Sequence, residues 1–173
     1  MILKSALFGA AALLSLATPA TAASGPTDPQ IAHIAYTAGN IDIAAAKQAL
    51  AHSQNKAVRS FAQDMLRDHE AVNAKALALV KKLHVTPEAN PTSADLEKQA
   101  KATLEKLSHL SGSAYDRAYV DNEVAYHKAV NGALQSTLIP NAHNAELKSL
   151  LETGLTLFRE HQMHAEAVAK GLK

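Results

Sequence analysis

The chain has 173 residues, no cysteine, no tryptophan, 4% aromatic residues and a formal net charge of +1. These values exclude a disulfide framework and any thiolate metal site. They also argue against a nucleic-acid partner, which would need a basic face for phosphates or aromatic platforms for bases.

The N-terminus reads as a secretory signal peptide. Lys4 is its only charge, an apolar run spans Ala6 to Ala17, and the small-residue stretch Thr18 to Ala23 contains Ala20-x-Ala22. The run is shorter than the roughly 20 apolar residues of a membrane span. Cleavage is expected after Ala22, which puts the signal at 1–22, a polar leader at 23–29 and one helical domain at 30–173. The mature chain is then periplasmic or secreted, carries zero net charge because Lys4 is lost, and has no stable membrane span. An uncleaved N-terminal anchor is the alternative. About 150 residues remain, the size of one ordinary domain.

Asp28-Pro29 has the form of an N-cap followed by the first helical position. Helix one should run from about Gln30 to His52, with an apolar stripe of Ile31, Ala35, Ala38, Asp42, Ala45, Ala49 and His52. Ser53-Gln54-Asn55 breaks the chain. Helix two spans roughly Lys56 to Leu83, with the stripe Val58, Ala62, Met65, His69, Val72, Ala76, Val80 and Leu83. His84 to Pro91 is a loop. A shorter helix begins at Thr92-Ser93-Ala94-Asp95 and ends near His109.

Ser111-Gly112-Ser113 opens the next long helix, from about Ala114 to Leu138. It faces inward with Tyr115, Tyr119, Glu123, Tyr126 or His127, Val130 and Leu134, and Pro140-Asn141 closes it. The last helix runs from about Asn144 to Lys170 and carries Leu147, Leu151, Gly154, Phe158, His161, Ala165, Val168 and Leu172, with Gly171 at its end. The expected fold is therefore all-α. It is a ferritin-like four-helix bundle in which a long second connection carries a short extra helix, and the first two helices are antiparallel neighbours.

Four ionisable side chains occupy apolar stripes near the middle of four helices: Asp42, His69, His127 and His161. Glu123 lies one turn before His127, on the same face. Isolated charges in a core are costly, so such groups need partners or a cation. Carboxylates and imidazoles suit Fe, Mn, Zn or Cu(II). Asp68 and Tyr119 are candidates to orient the imidazoles. Di-iron bundles use Glu-x-x-His, whereas this chain has Glu-x-x-x-His at Glu123/His127 and at Glu160/His164. A mononuclear or His-rich centre fits that spacing better than a di-iron one.

The alternative is a hydrogen-bonded polar network that fixes bundle register without a metal, in a structural or interaction protein of the envelope. His33, His52, His84, His109 and His143 read as solvated residues, and the pair His161/His164 as a weaker cation site. No serine elbow is present. A compact Ala-rich bundle leaves little room for a substrate cleft. An oxidase or peroxidase ranks below both readings, and no catalytic residue is assigned. Homodimerisation through an Ala-rich face is a further expectation.

The segments Phe61-Ala62-Gln63-Asp64-Met65-Leu66-Arg67-Asp68-His69, Tyr115-Asp116-Arg117-Ala118-Tyr119-Val120 through His127, and His161 with Ala165 resemble the exported bacterial family known as domain of unknown function 4142. The resemblance runs from about Ile31 to Leu172. It implies a ferritin-like bundle behind a signal peptide and a shared site at His69, His127 and His161. Helix one of that family usually carries Glu where this chain has Asp42, a shorter carboxylate.

Overall fold

A computed structural model describes residues 25–172. The expected signal peptide, 1–22, lies outside them. The described chain is an all-α bundle with no strand among the described residues: α1 (Asp28–His52), α2 (Lys56–Lys82), α3 (Pro91–Ser108), α4 (Gly112–Ala133), a π-helical turn at Leu134–Leu138, the short α5 (Ile139–Asn141) and α6 (Ala145–Gly171). No described helix is long and apolar enough to cross a membrane.

The long helices α1 and α2 pack as one pair and α4 and α6 as another. The pairs meet through α2 against α6 and α1 against α4, and α3 lies on α1. The short Ser53–Asn55 link makes α1 and α2 neighbours, and the α2–α4 connection is long enough to hold α3.

Side chains fix the helix ends locally. Asn55, Asn90 and Asn144 accept backbone N–H groups that open α2, α3 and α6. The N-cap of α1 is Thr27, one residue earlier than its Asp-Pro signal suggests. Asp28 instead reaches across the bundle and accepts the backbone N–H groups of His143 and Asn144, each at 2.8 Å. That long-range bond defeats the local reading. At the other ends, Arg59 donates to the carbonyls of Leu50 and Ser53. Arg117 donates to those of Ala169 and Leu172. Both arginines satisfy carbonyls that a helix C-terminus leaves open.

The π-helical turn was not anticipated. Pro140 has no N–H for the carbonyl four residues before it, and its ring crowds that carbonyl. Widening the helix relieves the crowding, and the Ile139 N–H bonds back to Leu134 O.

Two apolar clusters fill the bundle, one above and one below a polar layer. Phe61, Met65, Tyr115, Tyr119, Val120 and Ala165 belong to the first. Ile31, Ile34, Leu134, Leu138, Leu147 and Leu151 belong to the second. The stripe of α1 differs in part from expectation. Ile31, Asp42, Ala45 and Ala49 are buried, but Ala35 and Ala38 are half-buried and His52 is exposed, whereas Ile34, Thr37 and Ala46 are buried. The cause is that α1 touches α2, α3 and α4, which buries a wider arc than one stripe.

Candidate metal centre

Each residue of the candidate site sits at mid-helix because a 3.6-residue period keeps it on the buried face of its own helix. Asp42 on α1, His69 on α2, Glu123 and His127 on α4 and His161 on α6 are all at most 4% exposed. The bundle brings these five together between the two apolar clusters. The ring centres of His69, His127 and His161 lie 5.8, 5.5 and 5.3 Å apart in pairs.

Two overlapping trios, His69/His127/His161 and Asp42/Glu123/His127, each offer one ligand atom per residue, with all three atoms within 4.8 Å of one another. Two ligands about 2.1 Å from one ion stand at most about 4.2 Å apart, so side-chain shifts of roughly half an ångström close either trio.

Hydrogen bonds select which ring nitrogens remain free. His127 Nδ1 is 3.0 Å from the Glu123 main-chain carbonyl. A carbonyl only accepts, so Nδ1 carries the hydrogen and the Nε2 lone pair is free. His161 Nε2 is 3.1 Å from Asp68 Oδ2, which leaves its Nδ1 for the interior. Arg67 holds Asp68 in turn, donating to Oδ1 at 2.8 Å and to Oδ2 at 3.0 Å. His69 Nε2 is 3.4 Å from Asp42 Oδ2, and its ring stacks on Phe158 at 4.8 Å between centres.

With both carboxyls ionised, seven buried atoms of the five residues have no hydrogen-bond partner: Asp42 Oδ1, both His69 nitrogens, both Glu123 carboxylate oxygens, His127 Nε2 and His161 Nδ1; a proton on one carboxyl lets Asp42 and Glu123 bond to each other. Buried polar atoms are rarely left so. With Nδ1 of His127 occupied, its single free nitrogen is common to both trios, so the two trios cannot each use it for a separate ion.

Burial dominates the electrostatics of the five residues and favours the neutral form of each. Burial pushes the Asp42 carboxyl well above its usual range, and the neighbouring Glu123 adds to the effect. Burial likewise raises Glu123 to about 7. Burial, followed by repulsion from the neighbouring imidazoles, lowers His69 to about 3 and His127 to about 4. Burial lowers His161 too, against the opposing pull of Asp68. For Asp68 itself the cost of burial is outweighed by the hydrogen bonds from Arg67 and His161, so its carboxyl lies below the usual range. Neutral imidazoles are the form that binds metals.

Of the two residues expected to orient imidazoles, the structure puts Asp68 in that place and not Tyr119. The Tyr119 hydroxyl is buried without a partner, and its ring stacks with Tyr115. The Glu160/His164 pair is exposed, and His164 Nδ1 stands 3.9 Å from Asp64 Oδ2, outside both trios. Sequence reasoning missed Phe158, whose ring stacks on His69. Phe158 reads only as another apolar heptad residue, whereas its stacking on an imidazole depends on the α2–α6 packing.

The expectation of little room for a cleft is overturned. A cleft of about 1030 Å³, lined by residues of α1, α2, α3, α4 and α6, reaches Asp42, His69 and Phe158.

No curated protein and no solved structure matches the chain. A family model matches residues 13–168, and the chain belongs to that family, Domain of unknown function (DUF4142).

Proposed function

We propose that this protein is exported and binds one transition-metal ion in the middle of the bundle, through His127 Nε2, His161 Nδ1, a nitrogen of His69 and the carboxylates of Glu123 and Asp42. The observation that carries this reading is the convergence of seven unpartnered buried atoms from five residues on four helices. A cation would satisfy these atoms together. The mixed imidazole and carboxylate donors fit Fe, Mn, Zn or Cu(II). When bound, such an ion supplies Lewis acidity or, for Fe, Mn and Cu, electron transfer. The chain's own residues hold it, set the imidazole tautomers through Asp68 and the Glu123 carbonyl, and exclude water.

Four long helices with one long crossover support a ferritin-like reading of the bundle. The N-terminal apolar run supports export. A role in metal handling or oxidative-stress defence in the periplasm follows from that location and donor set.

A second reading rests on the same residues. The Asp42–His69 and Asp68–His161 contacts favour a polar network that fixes packing without an ion. Metal analysis of the purified, untagged chain, followed by titration with Fe(II), Mn(II), Cu(II) and Zn(II), separates the two. The metal reading expects binding tighter than about micromolar, roughly −8 kcal/mol. Failure of all four ions to reach that affinity leaves only the network.

A further inference from the structure

The donor atoms of the centre are sealed from solvent, so an ion reaches them only through an opening between helices. Where α2 faces α6, two acid–imidazole pairs stand about one helical turn apart. The outer pair is Asp64 and His164, with Oδ2 and Nδ1 3.9 Å apart and side chains 34% and 43% exposed. The inner pair is Asp68 and His161, with Oδ2 and Nε2 3.1 Å apart and side chains 21% and 6% exposed. Next inward is His161 Nδ1, which has no partner and belongs to the three-histidine trio. Carboxylate and imidazole donors, the types that suit a transition metal, thus continue from the surface to the centre with falling exposure.

Other approaches lack such a series. The cleft passes Asp42 and His69, and of its lining residues only these two carry a carboxylate or an imidazole. One turn away its wall is Ala38, Ala45 and Val72, which offer nothing to an ion that has shed water. Glu123 and His127 are each 1% exposed.

Arg67 closes the α2–α6 seam. Its guanidinium donates to Asp64 Oδ1 at 2.7 Å and to the two Asp68 oxygens at 2.8 and 3.0 Å. A cation is therefore already held between the two carboxylates, at the place an arriving ion would occupy. The Arg67 side chain is 66% exposed, so its release into water leaves no buried charge behind and costs little.

We propose that metal ions enter and leave the centre through the α2–α6 seam, passing from Asp64 and His164 to Asp68 and His161 when Arg67 swings aside. The proposal rests on the metal reading and identifies the gate of that same site. His161 suits the last step because its two nitrogens face opposite sides, Nε2 toward Asp68 and Nδ1 toward the centre. Turning the ring carries a bound ion inward.

Asp64 lies outside the centre and acts on passage alone. Such a group changes the barrier seen from both sides, so it alters association and dissociation by one factor and leaves Kd unchanged. Stopped-flow mixing of metal-free protein with each of Fe(II), Mn(II), Cu(II) and Zn(II) that binds at equilibrium gives the association rate. Release into excess chelator gives the dissociation rate. Asp64→Asn should slow both about threefold or more, since it removes a charge that attracts the ion. Arg67→Gln should speed association by a similar factor. Ala38→Leu, in the cleft wall beside Asp42, should leave both rates unchanged. If Asp64→Asn does not fold, His164→Gln is read the same way. Parental rates in the folded variant, a change in Kd without matched changes in both rates, or slowing by Ala38→Leu instead would overturn the route and leave metal binding standing. Absence of binding by all four ions would overturn both.

Discussion

His127 shows how one backbone atom determines the chemistry of a side chain. The Glu123 carbonyl 3.0 Å from Nδ1 fixes the tautomer and directs Nε2 inward, so His127→Ala should weaken metal binding by more than tenfold while His109→Ala, at the exposed end of α3, leaves it unchanged. Asp68 does the same for His161 from outside the centre. Asp68→Asn, followed by metal titration, should reduce affinity roughly 10- to 100-fold. A purely structural role for Asp68 would lower stability and leave the affinity of the folded protein intact.

Protonation of the metal-free centre has opposite consequences for its acids and bases. His69 and His127 titrate near 6.5 when unfolded and at about 3 and 4 when folded. Their contribution to stability is full above pH 6.5 and is lost as pH falls below it. Glu123 titrates near 4.5 unfolded and at about 7 folded. Its contribution is full below pH 4.5 and is lost as pH rises through 7. Denaturant titration of metal-free protein should therefore show Glu123→Gln gaining on the parent between pH 5 and pH 8, by roughly 1–3 kcal/mol. A difference independent of pH would mean that Glu123 is not buried as a proton-binding carboxyl.

At the scale of elements, the bundle is tied together by bonds that join distant parts of the chain. Asp28 holds the turn before α6 through the N–H groups of His143 and Asn144. Asp28→Ala should cost about 1–2 kcal/mol, read by chemical denaturation, because two backbone donors lose a charged acceptor. The close approach of α1 and α2 makes a similar demand. A Cβ on Gly39 would stand 2.3 Å from Asn73 Oδ1. Asn73 is itself bonded to Asn40, so Gly39→Ala must displace that pair. The expected cost is about 1–3 kcal/mol, and relief by a second change, Asn73→Ala, would identify the clash as its source.

At the scale of the whole molecule, the polar layer divides the two apolar clusters and touches all four long helices. An ion bound there links α1, α2, α4 and α6 at once. Binding to the folded state alone, at a free metal concentration one hundred times Kd, adds about 2.7 kcal/mol. Thermal unfolding should then shift upward by roughly 5–10 °C for a domain of this size, and a chelator should reverse the shift. An unchanged transition across all four ions would agree with the polar-network reading.

The sequence by itself determined the helices and the depth of the site. Periodicity placed His69, His127, His161, Asp42 and Glu123 on buried faces, and the structure buries all five. This works because a helix is a local object whose buried face follows from spacing alone. Tertiary structure decided what spacing cannot reach. It chose Asp68 over Tyr119 as the partner of an imidazole, drew Asp28 away from its own helix, and gave α1 a wider buried arc. It also opened a cleft in a composition that suggested close packing. Each of these depends on which helix stands opposite, at what distance and in what register, and that is set only when the four helices pack against one another.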